Sequence, residues 1–177
     1  MKRVIFALPL FLFLALVVLF MVGLEHDPRL IPSPFIGKPA PPLSLPRLIK
    51  DDQMLSRDDL IGEVMLVNFW ATWCPTCKGE HAVLMEIADT NEVAIYGIDY
   101  KDDQIAATAW LERLGNPYRA VGFDKEGNAA IDWGVYGTPE TFVLDKDGII
   151  RYKHVGAISW QDWKETLEPL VKQLQEE

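Results

Sequence analysis

Cys74 and Cys77 stand at the junction of two differently patterned segments, and that junction constrains the fold more than any other feature of the chain. Before it lies a continuous apolar run of strand length, Glu63-Val64-Met65-Leu66-Val67-Asn68-Phe69-Trp70. Such a run lacks the alternation of a half-exposed strand and suits one buried on both faces. After it, from Pro75 to Asp89, Cys77, Glu80, His81, Leu84, Ile87 and Ala88 recur at helical spacings. A strand covered on both sides that feeds straight into a helix calls for a layered α/β architecture.

The chain beyond this point keeps alternating. Val93 to Asp99 reads as the next strand, Gln104 to Leu114 as a second helix ended by Gly115-Asn116-Pro117, Tyr118 to Phe123 as a short strand, and Gly127 to Trp133 as a helical turn. Thr141 to Leu144 and Ile149 to Val155 flank Asp145-Lys146-Asp147-Gly148, a hairpin signal. Ser159 with Asp162 makes a capping-box-like start to a helix that reaches about Gln175. The predicted order is β-α-β-α-β, then a β-hairpin and a closing helix, which describes a mixed sheet with helices on both faces.

The N-terminus has a different character. Val4 to Leu24 carries no charge, and about 20 such residues match the ~30 Å hydrocarbon core of a bilayer. A cleaved signal peptide has an apolar region of about 7–15 residues closed by small residues. This run is longer and exits through Gly23-Leu24-Glu25-His26-Asp27, so an uncleaved anchor is expected in preference to a signal peptide or a buried core helix. Pro9 is tolerated in a lipid-embedded helix. Lys2 and Arg3 before the span, with Glu25 and Asp27 after it, place the N-terminus in the cytoplasm and the remainder outside. Seven of the 12 prolines fall between Pro28 and Pro46, favouring an extended tether that could hold a domain up to about 40 Å off the bilayer. The predicted organisation is residues 1–24 as cytoplasmic N-terminus and transmembrane anchor, 25–36 as proline-rich tether and 37–177 as one globular domain. Outside the anchor, 15 basic residues face 26 acidic ones, a formal charge of −11. That balance repels nucleic acid and anionic headgroups and argues against binding either.

The spacing of the two cysteines at a helix start supplies chemistry. The first meets unpaired backbone N–H groups and the positive end of the helix dipole, both of which favour thiolate over thiol. The second, one turn on, can attack a mixed disulfide on the first and expel the product. Other uses of C-x-x-C fit less well. A structural zinc site needs four ligands, whereas His26, His81 and His154 are scattered and no second cysteine pair exists. Lys78 stands where haem attachment would need histidine. A purely structural disulfide across two residues constrains the unfolded chain little. No metal or cofactor is expected.

Leu66 to Cys77, with its Trp73-Cys74-Pro75-Thr76-Cys77 core, resembles the thioredoxin active-site segment. The following Lys78-Gly79-Glu80-His81, together with Gly134-Val135-Tyr136-Gly137-Thr138-Pro139-Glu140-Thr141, resembles more narrowly the CcmG/DsbE family of cytochrome c biogenesis thiol reductases. The resemblance runs from about Ile36 to the end and includes the single N-terminal anchor. It implies a thioredoxin-like fold and a periplasmic domain on a bacterial inner membrane. It implies a protein that keeps the haem-binding cysteines of apocytochrome c reduced and is re-reduced by a membrane thiol transporter of the DsbD/CcdA type. Pro139 matches the family's cis-proline, which lies against the cysteines and presents the backbone of Thr138 to a substrate peptide. Trp73, Pro75 and Thr76 shape the same site.

Asn68 departs from thioredoxin, which carries a buried aspartate six residues before the first cysteine. Asparagine cannot titrate, so another carboxylate must accept the proton of Cys77. Glu80, three residues after Cys77, shares its helical face. Glu140 matches a second acidic position of the family. The expectation is that the two form an acidic rim that holds back thiolate formation and accepts protons during resolution. His81 is assigned no role, and Trp110, Trp133, Trp160 and Trp163 read as packing. The predicted function is dithiol reduction of apocytochrome c. A TlpA/ResA-type anchored reductase with another substrate and a non-catalytic apocytochrome-binding holdase are the alternatives.

Overall fold

The computed structural model describes residues 2–24, 33–49 and 52–177, with side chains described from residue 9 onward except at 22 and 24. The chain divides into two units, Met1–Pro32 and Ser33–Glu177. In the first, α1 (Lys2–Leu24) is a continuous helix of 23 residues. Its large apolar side chains from Leu10 to Met21 are exposed. Counted over the described side chains, no helix is long and apolar enough to cross a membrane. The predicted tether lies outside the described residues at 25–32. Its last part, residues 33–36, is not extended: the Ile36 amide donates to Ser33 O at 3.2 Å, and Phe35 packs against the core of the second unit.

The second unit is organised by β3 (Met65–Trp70), all six residues of which are buried. β4 (Ala94–Tyr100) runs parallel on one side of it and β6 (Glu140–Leu144) antiparallel on the other. β5 (Ala120–Asp124) and β7 (Ile150–Val155) complete a five-stranded sheet of order β5-β4-β3-β6-β7. α2 (Pro75–Thr90), α3 (Gln104–Leu114) and the closing helix pack on one face, around Leu66, Trp70, Leu84, Trp110, Trp163 and Leu167. The other face is covered by the segment after Ser33, by a small hairpin of β1 (Ser44–Pro46) with β2 (Met54–Ser56), and by the short α4 (Asn128–Asp132). Alternation along the strands assigns side chains to these faces. Asn68, Trp70, Thr141 and Val143 point toward α2, whereas Phe69, Glu140 and Phe142 point away from it.

Local chemistry sets the ends of these elements. Asp103 caps α3 by accepting from the Ala106 amide at 2.9 Å, and Gly115 at φ +93° ends it. In the β6–β7 turn Asp145 accepts from the amides of Asp147 and Ile149, with Gly148 at φ +72°. Ser159 and Asp162 form the reciprocal box that starts the closing helix, α5 (Trp160–Asp162) and α6 (Glu168–Glu176). Between them the helix widens over Trp163–Leu167. Pro169, two residues beyond Leu167, has no amide to offer the carbonyl four residues back, which removes one bond of the regular ladder. Gly97 is required by close approach: a Cβ there would stand 2.9 Å from the Trp70 indole nitrogen. The missing side chain admits that ring, which stacks between Trp110 and Tyr118.

Candidate active site

Where β3 ends, the chain turns through Ala71 to Trp73 and enters α2 with Cys74 as its cap and Pro75 at the first helical position. Pro75 pre-sets the first helical φ and sacrifices an amide that would have no partner there. Cys74 and Cys77 are joined as a disulfide, both almost fully buried, with their Cα atoms 5.3 Å apart. The Cys77 amide donates to Cys74 Sγ at 3.1 Å. That bond and the helix N-terminus both stabilise negative charge on Cys74 once the disulfide is opened.

The turn is held from outside by the loop after β4. The Asp102 carboxylate accepts from the Thr72 amide at 2.5 Å, from Thr72 Oγ1 at 2.8 Å and from the Asp103 amide at 2.8 Å. The Trp73 indole, 55% exposed, donates to Lys101 O at 3.1 Å and leans on the Tyr100 ring. The segment Tyr100 to Asp103 is therefore the bracket for the cysteine turn. Asp102→Ala would orphan the Thr72 amide. It is expected to cost the oxidised protein about 1–3 kcal/mol in chemical denaturation, and a loss below about 0.5 kcal/mol would mean that the bracket is idle. Beneath it, Asp99 is fully buried, and its carboxyl is pushed up to about 9 by burial and then by Asp102 and Asp124. Asp99 thus carries a proton at neutral pH.

Behind the dithiol lies a buried polar network. Asn68 donates through Nδ2 to Glu80 Oε1 and to Thr141 Oγ1, each at 3.0 Å, and accepts from the Tyr118 hydroxyl at 2.9 Å. Glu80 Oε2 accepts from the Ile158 amide at 2.9 Å. Glu80 is 1% exposed, and burial raises its carboxyl to about 7 against the lowering effect of the Ile158 and Asn68 hydrogen bonds. It is neither a solvated helix-surface group nor part of a surface rim. Asn68 joins Glu80 on α2 to Thr141, two residues beyond the proline of the loop described next.

The Thr138–Pro139 peptide is cis. Thr138 O lies 3.4 Å from Cys74 Sγ, so the segment that carries it forms the second wall of the site. Glu140 does not join Glu80. It is 2% exposed on the opposite face of the sheet, where Oε1 accepts from the Tyr136 amide at 3.1 Å and Oε2 pairs with Lys153 at 2.8 Å. The expected two-carboxylate rim is corrected by strand alternation: Thr141 faces Asn68 on the α2 side of the sheet, so Glu140 cannot. Thr76 and Pro75 are exposed on the first turn of α2. His81 packs edge-on to Trp110 at 4.3 Å with Nε2 3.1 Å from Gly115 O, so it bridges α2 to the end of α3, and burial lowers its pKa. Trp110, Trp133 and Trp163 are core residues, and Trp160 lies at the surface beside Lys164. Among the described residues no cluster of His, Cys, Asp and Glu could hold a metal ion.

A reducible cysteine pair at a helix N-terminus, facing a cis-proline across the end of a β5-β4-β3-β6-β7 sheet, defines a thiol:disulfide oxidoreductase of thioredoxin-like fold. Residues 35–170 match the Redoxin family. The thiol:disulfide interchange protein DsbE of Allochromatium vinosum is 52% identical over 168 residues, covering 95% of this chain and 93% of the relative. DsbE of Pseudomonas aeruginosa is 48% identical over 177 residues, covering 100% and 98%. The thioredoxin domain of a thiol-disulfide oxidoreductase from Bacteroides vulgatus superposes with a TM-score of 0.65 at 22% identity, over 77% of this chain and 97% of that one, which concerns the fold alone. The chain belongs to the Redoxin family and, within it, to the DsbE (CcmG) thiol:disulfide interchange proteins.

Proposed function

We propose that the protein is a dithiol reductant, anchored by α1 to a bacterial inner membrane with its domain in the periplasm, that keeps the haem-binding cysteines of apocytochrome c reduced. In the first step the Cys74 thiolate attacks a substrate disulfide, forming a mixed disulfide and releasing one substrate thiolate. Cys77 then loses its proton, attacks Cys74 Sγ and expels the second substrate thiolate. Two electrons pass to the substrate, and the enzyme is left as the Cys74–Cys77 disulfide. Glu80 takes the Cys77 proton, Thr138 presents its backbone to the incoming peptide, and Trp73, Pro75 and Thr76 border the groove.

The observation that carries the direction is the burial of Glu80 on α2, three residues after the buried Cys77 on the same helical face. A carboxylate there opposes thiolate formation, and a strong oxidant owes its power to a stabilised reduced form. The uncharged run Val4 to Leu24, and the matching of the DsbE relatives along nearly their full length, support the anchor. A membrane thiol transporter of the DsbD/CcdA type would return the electrons.

Equilibration of the full-length protein in detergent with glutathione buffers is expected to give a potential nearer the about −200 mV of glutaredoxins than the about −120 mV of DsbA. The reduced protein should also open the disulfide of a synthetic C-x-x-C-H peptide. A potential at the oxidising end would overturn the direction. Failure on the peptide, with a reducing potential intact, would move the substrate to another periplasmic disulfide, as in a TlpA/ResA-type reductase.

A further inference from the structure

The loop before Pro139 is gripped by a buried ion pair that the exchange steps do not use. Lys153 projects from β7 with its side chain 5% exposed, and its Nζ lies 2.8 Å from Glu140 Oε2. The same ammonium donates to Gly134 O at 2.8 Å and stands 4.5 Å from the Tyr136 ring centroid and 5.4 Å from that of Phe142. Glu140 meanwhile accepts from the Tyr136 amide at 3.1 Å. Lys153 thus grips Gly134 and Tyr136 from inside, one directly and one through ring and carboxylate. The start of the loop is fixed separately, by the Gly134 amide on Ile131 O and the Val135 amide on Ala130 O. Beyond that, Tyr136 is 82% exposed and Gly137 has open space around its Cα. The stretch that sets Thr138 against Cys74 therefore has little apolar packing of its own.

A buried ammonium is costly unless it is paired and fully hydrogen-bonded. Here its ammonium meets the loop at Gly134 and Tyr136, the first residue of β6, Glu140, and the ring of Phe142 two residues further on. We propose that Lys153 is a positioning residue for peptide recognition: it fixes the Gly134–Thr138 backbone so that an incoming cysteine-bearing peptide meets a preset strand-like edge beside Cys74. Preorganisation of this sort improves binding by removing the need to order the loop on encounter. The inference rests on nucleophilic exchange at Cys74 and not on which protein is the substrate.

The test uses the full-length chain in detergent with Cys77→Ser, so that only the first step occurs. Its probes are a short peptide and free cysteine, each carrying one cysteine sulfur activated as a mixed disulfide with thionitrobenzoate. Attack by Cys74 forms a new disulfide and releases coloured thionitrobenzoate, with no outside oxidant or reductant. The protein with Lys153 intact should react faster with the peptide than with free cysteine. Lys153→Met is expected to lower that peptide-to-cysteine ratio by about tenfold, the worth of roughly one backbone hydrogen bond. Lys153→Arg, which keeps the charge and its donors, should recover most of it. Should Lys153→Met fail to fold because Glu140 is left unpaired, the double variant with Glu140→Gln removes the orphaned charge and is read the same way. An unaltered ratio in either variant, or no peptide preference with Lys153 intact, would overturn the proposal.

Discussion

Replacing Cys77 with serine is expected to stop the enzyme after a single encounter and leave its substrate covalently held on Cys74. The disulfide between these residues and the burial of Cys77 place the second sulfur where it can reach only the first. Well-oriented intramolecular attack can reach effective molarities of about 10⁵ M and above. An external thiol at millimolar concentration is no substitute, so turnover should fall by about 10³-fold or more. The adduct should run as a heavier band on a non-reducing gel and vanish with dithiothreitol. Cys74→Ser should give no adduct at all. A Cys77→Ser protein that binds peptide reversibly, without a covalent species, would favour a holdase over an enzyme.

Glu80→Gln should remove the pH dependence of the second step near neutrality. With its carboxyl raised to about 7, Glu80 gains its proton-accepting form as pH rises through that value. Resolution by Cys77 should accelerate over the same interval. Without the carboxylate, acceleration should wait for the ordinary thiol range near about 8.5, and the rate at pH 7 should fall by about 10²-fold. Stopped-flow measurement of resolution from pH 5 to 9 would read this directly. Identical profiles would remove Glu80 from the mechanism.

Stability gives an independent readout of the same group. The unfolded chain releases the Glu80 proton near the ordinary carboxylate value of 4.5, whereas the folded protein retains it until about 7. The folded state therefore binds the extra proton between these values. Glu80's contribution to stability then declines as pH rises through that window, by about 3 kcal/mol in all, and stays at its lower level above it. The difference between the two proteins in urea unfolding isolates this share from that of Asp99, which Glu80→Gln leaves in place.

The parts of the molecule legible in the sequence are those in which local pattern and tertiary role coincide. The apolar run before Cys74 could only be an interior strand, and the five-stranded sheet with its closing helix follows from the order of elements around it. The β1–β2 hairpin escaped because each strand is three residues long, too short for a period to register. The small turn at 33–36 was hidden by prolines that read equally well as tether.

In the site, Cys74, Cys77, Pro139 and Glu80 could be named from spacing and resemblance. The side on which Glu140 lies depends on strand register, and register is fixed by pairing partners distant in the chain. Asp102 had a trace, an acidic pair just past a strand end. Lys153 had none: a lysine in an alternating strand looks like any solvated one until the facing strand supplies its carboxylate.

The thickness of one sheet separates Glu80 from Glu140, and the two acids answer to different demands. In the proposed mechanism one takes the Cys77 proton, and in the proposed recognition the other holds, through Lys153, the edge along which a client chain would lie. Selection can therefore retune electrochemical poise without redrawing client preference, and the reverse. A designer wishing to shift the potential of this scaffold should begin on the helix side and leave the far side untouched.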